Sequence, residues 1–269
     1  MLLLKLGYRS LWRNRRRTIL TMTAMGVATM LMVLTLSIYE GIFQDMIHSA
    51  TSFQGQIRVT AKGYFEDQEI DQTIPQEAFR QAILTYPGVV GIAGRVRGFA
   101  LLSYGEGDSS RAQAAELMGI DPEEERTVSE FAGRVIRGKF ISRADSGEIV
   151  LGQGLARSLE AVVGCEIVAM GQDSYGSVAA GVFRVAGIVD TGDPVRDVSL
   201  ALMERRTLQK MLALDIQLHE WALRMRSPVL AYEAAAGLQA ELTGCDVRPW
   251  NRFLPQLNEL LKLTEVTKY

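Results

Sequence analysis

The strongest pattern along the chain is a run without Lys, Arg, Asp or Glu, 22 residues from Thr18 to Tyr39. As a helix it is about 33 Å long, against a bilayer hydrocarbon core of about 30 Å, which predicts a membrane-spanning helix over residues 18–41. Before it stand Lys5, Arg9, Arg13, Arg15, Arg16 and Arg17, with no acid. Clustered bases resist translocation, so this flank is expected in the cytoplasm and everything after Glu40 on the far side. A cleaved signal peptide would have a shorter apolar core and a small-x-small site, and the stretch around Ala50 supplies neither.

The flanking segments are amphipathic. Residues 1–17 set Lys5, Arg9 and Arg13 four apart, with Leu3, Leu4, Tyr8, Leu11 and Trp12 on other faces, which predicts a short helix in the cytoplasmic interface. Past the apolar run, Phe43, Met46, Ile47, Ala50 and Phe53 recur at spacings of three and four, so the helix is expected to continue as a stalk over 42–55. A second stripe, Phe253, Leu257, Leu260 and Leu261, predicts a return stalk over 251–269 leading to a further spanning helix. Phe43 and Ile47 are expected to couple the two stalks by packing on Phe253 and Leu257.

Between the stalks, strand and helix patterns alternate. Strands are predicted over 56–60, 96–102, 148–151, 166–170, 183–189, 221–225 and 246–250. Helices are predicted over 75–86, 154–163, 200–212 and 229–242, so the body is α+β. The acidic, Pro-containing stretch Asp121 to Arg126 reads as a seam between subdomains or a surface loop.

Charge is divided unevenly. All 31 acids lie at or beyond Glu40, so the part after the apolar run carries 31 acids against 23 bases. A nucleic-acid partner needs a basic patch and is not expected. Cys165 and Cys245, each beside a glycine, read as two small thiols, with a disulfide as the alternative.

Motifs for chemistry are sparse. Gly133 to Lys139 (GRVIRGK) fits part of a phosphate-binding loop, but Phe140 stands where Ser or Thr would hold magnesium. Asp190-Thr191-Gly192 and Asp145-Ser146-Gly147 are the tripeptides of an aspartic protease, though such residues are also the common chemistry of strand-end turns. His48 and His219 have no partners at metal-ligand spacing, and no Ser sits in a G-x-S-x-G context. Neither catalytic residues, metal nor cofactor are expected in this chain.

The residues also resemble a family. LGYRSLWRNRRRTILTMTAMGVA, from Leu6 to Ala28, is similar to the start of permease subunits of MacB/FtsX-type ABC transporters. Gly41, Met46, Ala50, Gly55 and AKGY (Ala61 to Tyr64) resemble the segment after the first helix. MGIDPEEE (Met118 to Glu125), GEIVLGQGLARSL (Gly147 to Leu159) and FRVAGIVDTG (Phe183 to Gly192) with Asp197 resemble the periplasmic core of lipoprotein-releasing permeases. Three positions depart: Cys165 replaces a Gly-Asp pair, Gln56 replaces a His, and Gly171 to Gly181 is shorter than the hairpin that hooks a chaperone. Chaperone docking is therefore not carried over.

The resemblance implies a MacB-like periplasmic core of two mixed α/β subdomains, 56–120 with 220–250 and an inserted 121–219, followed by three further spanning helices. It implies an inner-membrane permease that pairs with a second permease, identical or homologous, and with an ABC ATPase subunit holding ATP and Mg. The expected cargo is a lipoprotein or other amphiphile entering near Tyr39, Ile42 and Phe43. The alternatives are a signalling permease that activates a cell-wall hydrolase, and a membrane-tethered aspartic protease using Asp190.

Overall fold

The computed structural model describes residues 14–105, 110–142, 147–227 and 230–253, and of residues 40, 43–50, 251 and 253 it describes the backbone alone. Lys5, Arg9, Arg13, Asp145 and Leu257 lie outside the described residues, as do the side chains of Phe43, Ile47 and Phe253. The chain divides into two units, Met1–Ser49 and Ala50–Tyr269.

The first unit is helical. Helix α1 (Arg15–Gln54) contains the expected span and continues through the expected stalk. Its stretch Arg15–Tyr39 is long and apolar enough to cross a membrane, and none of it is buried. Ile19, Leu20, Met25, Met30, Leu34 and Ile38 are all exposed, an apolar surface on every side that calls for lipid or other apolar cover. The hydroxyls of Thr21, Thr23 and Thr35 donate to the carbonyls of Arg17, Ile19 and Leu31 one turn back. A hydroxyl satisfied inside its own helix costs little in hydrocarbon.

The second unit, the head, follows in the order β1 (Ile57–Ala61), β2 (Ile74–Pro75), β3 (Val89–Tyr104), β4 (Arg111–Ile120), α2 (Pro122–Val128), β5 (Val135–Gly138), β6 (Glu148–Gly152), α3 (Gln153–Leu159), β7 (Glu166–Gln172), β8 (Val178–Val189), β9 (Leu200–Glu204), α4 (Arg205–Met211), β10 (Gln217–Leu218), β11 (Glu220–Met225), α5 (Leu230–Glu241) and β12 (Cys245–Pro249). A single helical turn, Trp250–Phe253, follows. The main sheet runs β12-β1-β11-β3-β4-β9-β6-β8-β5, with β7 bridging β3 and β8. β4 with β9 and β6 with β8 are parallel, and the other pairs are antiparallel.

The 16-residue strand β3 serves both halves of this sheet. It pairs with β11 as far as Arg95 and with β4 from Val96 onward. The change of partner falls inside β3, so residues 96–120 pair with the strands of the expected inserted part rather than with those of 56–95. Helices α3 and α4 cover one face, where Gly98 and Gly119 admit Leu212 and Leu208 at distances a Cβ would not allow. On the other face Phe53, Met118, Ile120, Phe131, Ile141, Val150, Val189, Leu200 and Leu202 form the core.

The structure differs from three expectations and adds one strand where none was expected. Residues 200–212 split into β9 and α4, because a strand buried on both faces shows five consecutive buried residues and no alternation. The predicted helix over 75–86 shortens to Arg80–Thr85, with Pro75 in β2 and Phe79 in the left-handed region at φ 66°. The Ala-rich stretch 111–120 has low strand propensity, yet pairing with β3 and β9 on its two sides makes it β4. The acidic seam is helix α2, which begins with Pro122 and is capped by the Asp121 carboxylate accepting from the N–H groups of Glu123 and Glu124.

Candidate functional site

The last turn of α1 lies in the head, where Thr51, Ser52 and Phe53 are buried. A helix ending in the interior must find donors for its final carbonyls. Glu130 N–H donates to Ser52 O at 3.0 Å. Arg95 Nη2 donates to Phe53 O at 2.8 Å and Nη1 to Gln54 O at 3.4 Å. Gly55 turns the chain at φ 78°, its N–H on Thr51 O, and a Cβ there would meet the Leu223 carbonyl at 3.0 Å.

Gln56 then fastens the exit. Its N–H donates to Leu223 O at 2.7 Å, and its side-chain Oε1 accepts from Met225 N–H at 2.7 Å. Its carbonyl accepts from Trp250 N–H at 2.8 Å, so the strand leaving α1 and the turn closing the described chain meet at one residue.

Arg95 has no exposed surface, and burying its charge is tolerable only if it is fully paired. Strand register supplies one partner, because Glu220 on β11 lies opposite Arg95 on β3. Helix α2 supplies the other: Glu125 accepts from Arg95 Nη2 at 2.6 Å and from Nε at 3.1 Å in a bidentate pair. Glu220 also accepts from Arg97 Nη2 at 3.0 Å and Arg58 Nε at 2.6 Å, and Arg97 pairs with Glu116. Three guanidiniums and three carboxylates thus close on each other.

The protonation states follow from this geometry. Burial alone would raise the pKa of Glu220, but Arg58, Arg97 and Arg95 hold it well below the usual carboxylate range. Burial works against the Arg97 charge too, and Glu220 and Glu116 outweigh it, so its pKa is raised. Burial lowers Arg58. These carboxylates are engaged by guanidiniums, so the cluster anchors the helix end and offers no free base or nucleophile.

A second cluster lies beside it. Arg205 bonds to Glu124 at 2.7 Å and to the carbonyl of Gly94 at 3.1 Å, and Glu124 also takes Arg80. Helix α2, which carries Glu124 and Glu125, is therefore tied to β3 from both clusters.

The residues singled out in the sequence are dispersed. Arg15, Arg16 and Arg17 are exposed in the first turn of α1, and Tyr39 and Ile42 are exposed farther along it. Lys139 of the phosphate-loop-like string pairs with Glu148 at 2.9 Å. The Asp190 carboxylate accepts from Gly192 N–H, and Thr191 donates to Asp197, so this tripeptide stabilises its own turn. Cys165 and Cys245 are both free thiols. Among the described residues no group of three His, Cys, Asp or Glu is placed to hold a metal.

Sequence reading did not single out Arg95, Arg97, Glu125 or Glu220. The available signal was charge in inward positions of otherwise apolar strands, Arg95 in AGRVRG (Ala93 to Gly98) and Glu220 in HEWALRM (His219 to Met225). Inward charges in strands demand partners, which local pattern does not identify.

Residues 18–241, which take in most of α1 and the sheet it enters, match the family model of the MacB-like periplasmic core domain. The chain belongs to this family, which marks it as a permease of the MacB/FtsX-type ABC transporters. It is 29% identical over 171 residues to the lipoprotein-releasing system transmembrane protein LolC of Neisseria meningitidis serogroup B, strain MC58. That alignment takes in 61% of this chain and 40% of LolC, so the chain spans less than half of that relative. In fold it resembles the extracellular domain of the noncanonic ABC-type transporter YknZ from Gram-positive bacteria, with a TM-score of 0.50, 14% identity and coverage of 72% of this chain and 100% of that one. It likewise resembles the periplasmic region of MacB from Actinobacillus actinomycetemcomitans, with a TM-score of 0.50, 11% identity and coverage of 78% and 95%.

Proposed function

We propose that the chain is the membrane permease part of an ABC transporter in which a separate ATPase subunit, binding ATP and Mg, moves the head through α1. In this reading the basic flank with Arg15, Arg16 and Arg17 is cytoplasmic and the head lies across the inner membrane in the periplasm. The cargo is a lipoprotein or another amphiphile, admitted where α1 leaves the bilayer near Tyr39, Ile42 and Phe43.

The observation that carries this proposal is the anchorage of the helix end. Turning the last turn of α1 would strip Arg95 of the Phe53 and Gln54 carbonyls inside a charge cluster that pays several kcal/mol for any lost partner. Moving the head as a body costs less than deforming this root. Trp250, where this reading starts the return towards the membrane, donates its N–H to the carbonyl of the same Gln56, which supports loading of both connections at one spot.

The test is an insertion of three glycines after Gln54 in the full-length permease, reconstituted with its ATPase in liposomes. ATP hydrolysis should persist while cargo release is lost. Release at the unmodified rate would refute transmission through the helix root.

A further inference from the structure

A cavity of about 270 Å³ opens in the head beside Tyr64, Arg97 and His219, and exposed Phe99 and Gln68 also line it. Tyr64 begins the single helical turn Tyr64–Asp67, set by Gly63 at φ 84°, and its ring tilts on that of His219 with centroids 5.5 Å apart. Tyr64 is only 5% exposed, and its hydroxyl has no hydrogen-bond partner among the described residues. The oxygen is not sealed in the core, so it opens into the cavity that Tyr64 lines. Leaving the hydroxyl of a buried side chain unpaired is costly, so this phenol calls for an acceptor from outside the chain.

The other polar groups around the cavity are largely spoken for. His219 Nδ1 accepts from Arg97 N–H at 3.0 Å, so its Nε2 is the donor, to Ile70 O at 3.1 Å. Arg97 spends its charge on Glu116 and Glu220. Gln172 donates to Gly176 O at 2.9 Å, and Asp173 Oδ1 accepts from the N–H groups of Tyr175 and Ser177. Asp173 adds a negative charge and no unpaired cation lines the cavity, so an anion gains nothing there. Burial pushes the Tyr64 phenol up to about 12, which keeps it a donor at neutral pH. The volume is that of about nine waters and falls just short of the roughly 300 Å³ at which sites for drug-sized ligands begin, so it suits one ring or branched chain with one polar group.

We infer that this cavity binds a small neutral molecule whose apolar ring or branched chain lies against Phe99 and Ile70 and whose carbonyl accepts from the Tyr64 hydroxyl. Waters held against Phe99 and Ile70 make few hydrogen bonds, and replacing them with an apolar group while keeping the bond to Tyr64 is favourable. The Gln68 side-chain amide, which has no partner among the described residues, favours an amide over a bare ketone because it can both donate and accept. Bound there, the molecule lies against Arg97, which shares Glu220 with Arg95 at the end of α1. The site needs neither a membrane nor an ATPase, so it stands apart from the permease reading.

The test titrates the full-length chain in detergent with para-fluorophenylacetamide and follows the fluorine resonance by NMR. The shift should saturate. Tyr64→Phe, which keeps the ring on His219, should weaken binding roughly fivefold, the worth of one hydrogen bond. Its urea unfolding should match that of the native chain, which separates lost binding from lost fold. Phe99→Ala should weaken binding at least as much, whereas Tyr232→Phe, the same change at an exposed tyrosine outside the cavity, should leave it unaltered. The anion para-fluorophenylacetate should bind more weakly than the amide, and para-fluorotoluene, which has no carbonyl, should not distinguish Tyr64→Phe from the native chain. A shift no different from that in detergent alone, equal binding of the amide by Tyr64→Phe and the native chain, or an acid that binds as well as the amide overturns the inference.

Discussion

Replacing Arg95 with methionine removes the cation that joins the end of α1 to two buried carboxylates. Methionine keeps much of the side-chain volume, so the change isolates the charge and its donors. Five hydrogen bonds disappear together: the bidentate pair with Glu125, the 3.4 Å contact with Glu220, and the caps on Phe53 O and Gln54 O. Glu220 keeps Arg58 and Arg97, whereas Glu125 is 1% exposed and loses the cation that neutralised it. Removing one partner of a buried pair costs about 3–5 kcal/mol, a large share of the 5–15 kcal/mol that holds a typical domain folded. Urea unfolding of the full chain in detergent, followed by emission from the buried Trp221 and Trp250, measures this. Adding Glu125→Gln to Arg95→Met should recover about 2 kcal/mol, because the orphaned charge is then gone. A loss below about 1 kcal/mol for the single variant, or a double variant weaker than the single, would refute the account of the cluster.

Three further outcomes follow from the same structure. His219 is buried and neutral, its Nδ1 accepting from Arg97 N–H and its Nε2 facing Ile70 O, and burial lowers its pKa from 6.5 to about 4. The unfolded chain therefore binds the extra proton first: this contribution is intact above pH 6.5 and about 3 kcal/mol is lost as pH falls from there to 4, a slope His219→Gln should flatten in urea titrations across that range. Burial and the neighbouring Asp246 push the Cys245 thiol up to about 11, so a maleimide at neutral pH should modify half-buried Cys165 in the native chain and reach Cys245 only after denaturation, as peptide mass mapping would show. Gly91→Ala sets a Cβ 2.4 Å from the Thr127 carbonyl oxygen, a backbone atom that cannot rotate away, and should cost about 1–3 kcal/mol in thermal or urea unfolding.

Much of the architecture was legible because its signals are local. An uncharged run long enough to span a bilayer, a proline-glycine stop at Pro87-Gly88 and the apolar strand 183–189 each announce themselves within a dozen residues. β9 was misread because a strand covered on both faces has no period to detect. β4 was missed because its residues favour helix and only its two neighbours make it a strand. The charge cluster lay further out of reach. Arg95 meets Glu125 30 residues away and Glu220 125 residues away, and nothing along the chain records that pairing. Asp121, by contrast, carries its meaning openly: followed by Pro122 and three glutamates, it is a helix start in a stretch that reads as a subdomain seam or a surface loop when only its acids and proline are weighed.

The position of Arg95 along β3 has a mechanical consequence. It is the final residue of that strand matched to β11, and its successor begins the match to β4. The Phe53 and Gln54 carbonyls are therefore held at the point where β3 changes partner, so one buried guanidinium ties the end of α1 to both ladders at once.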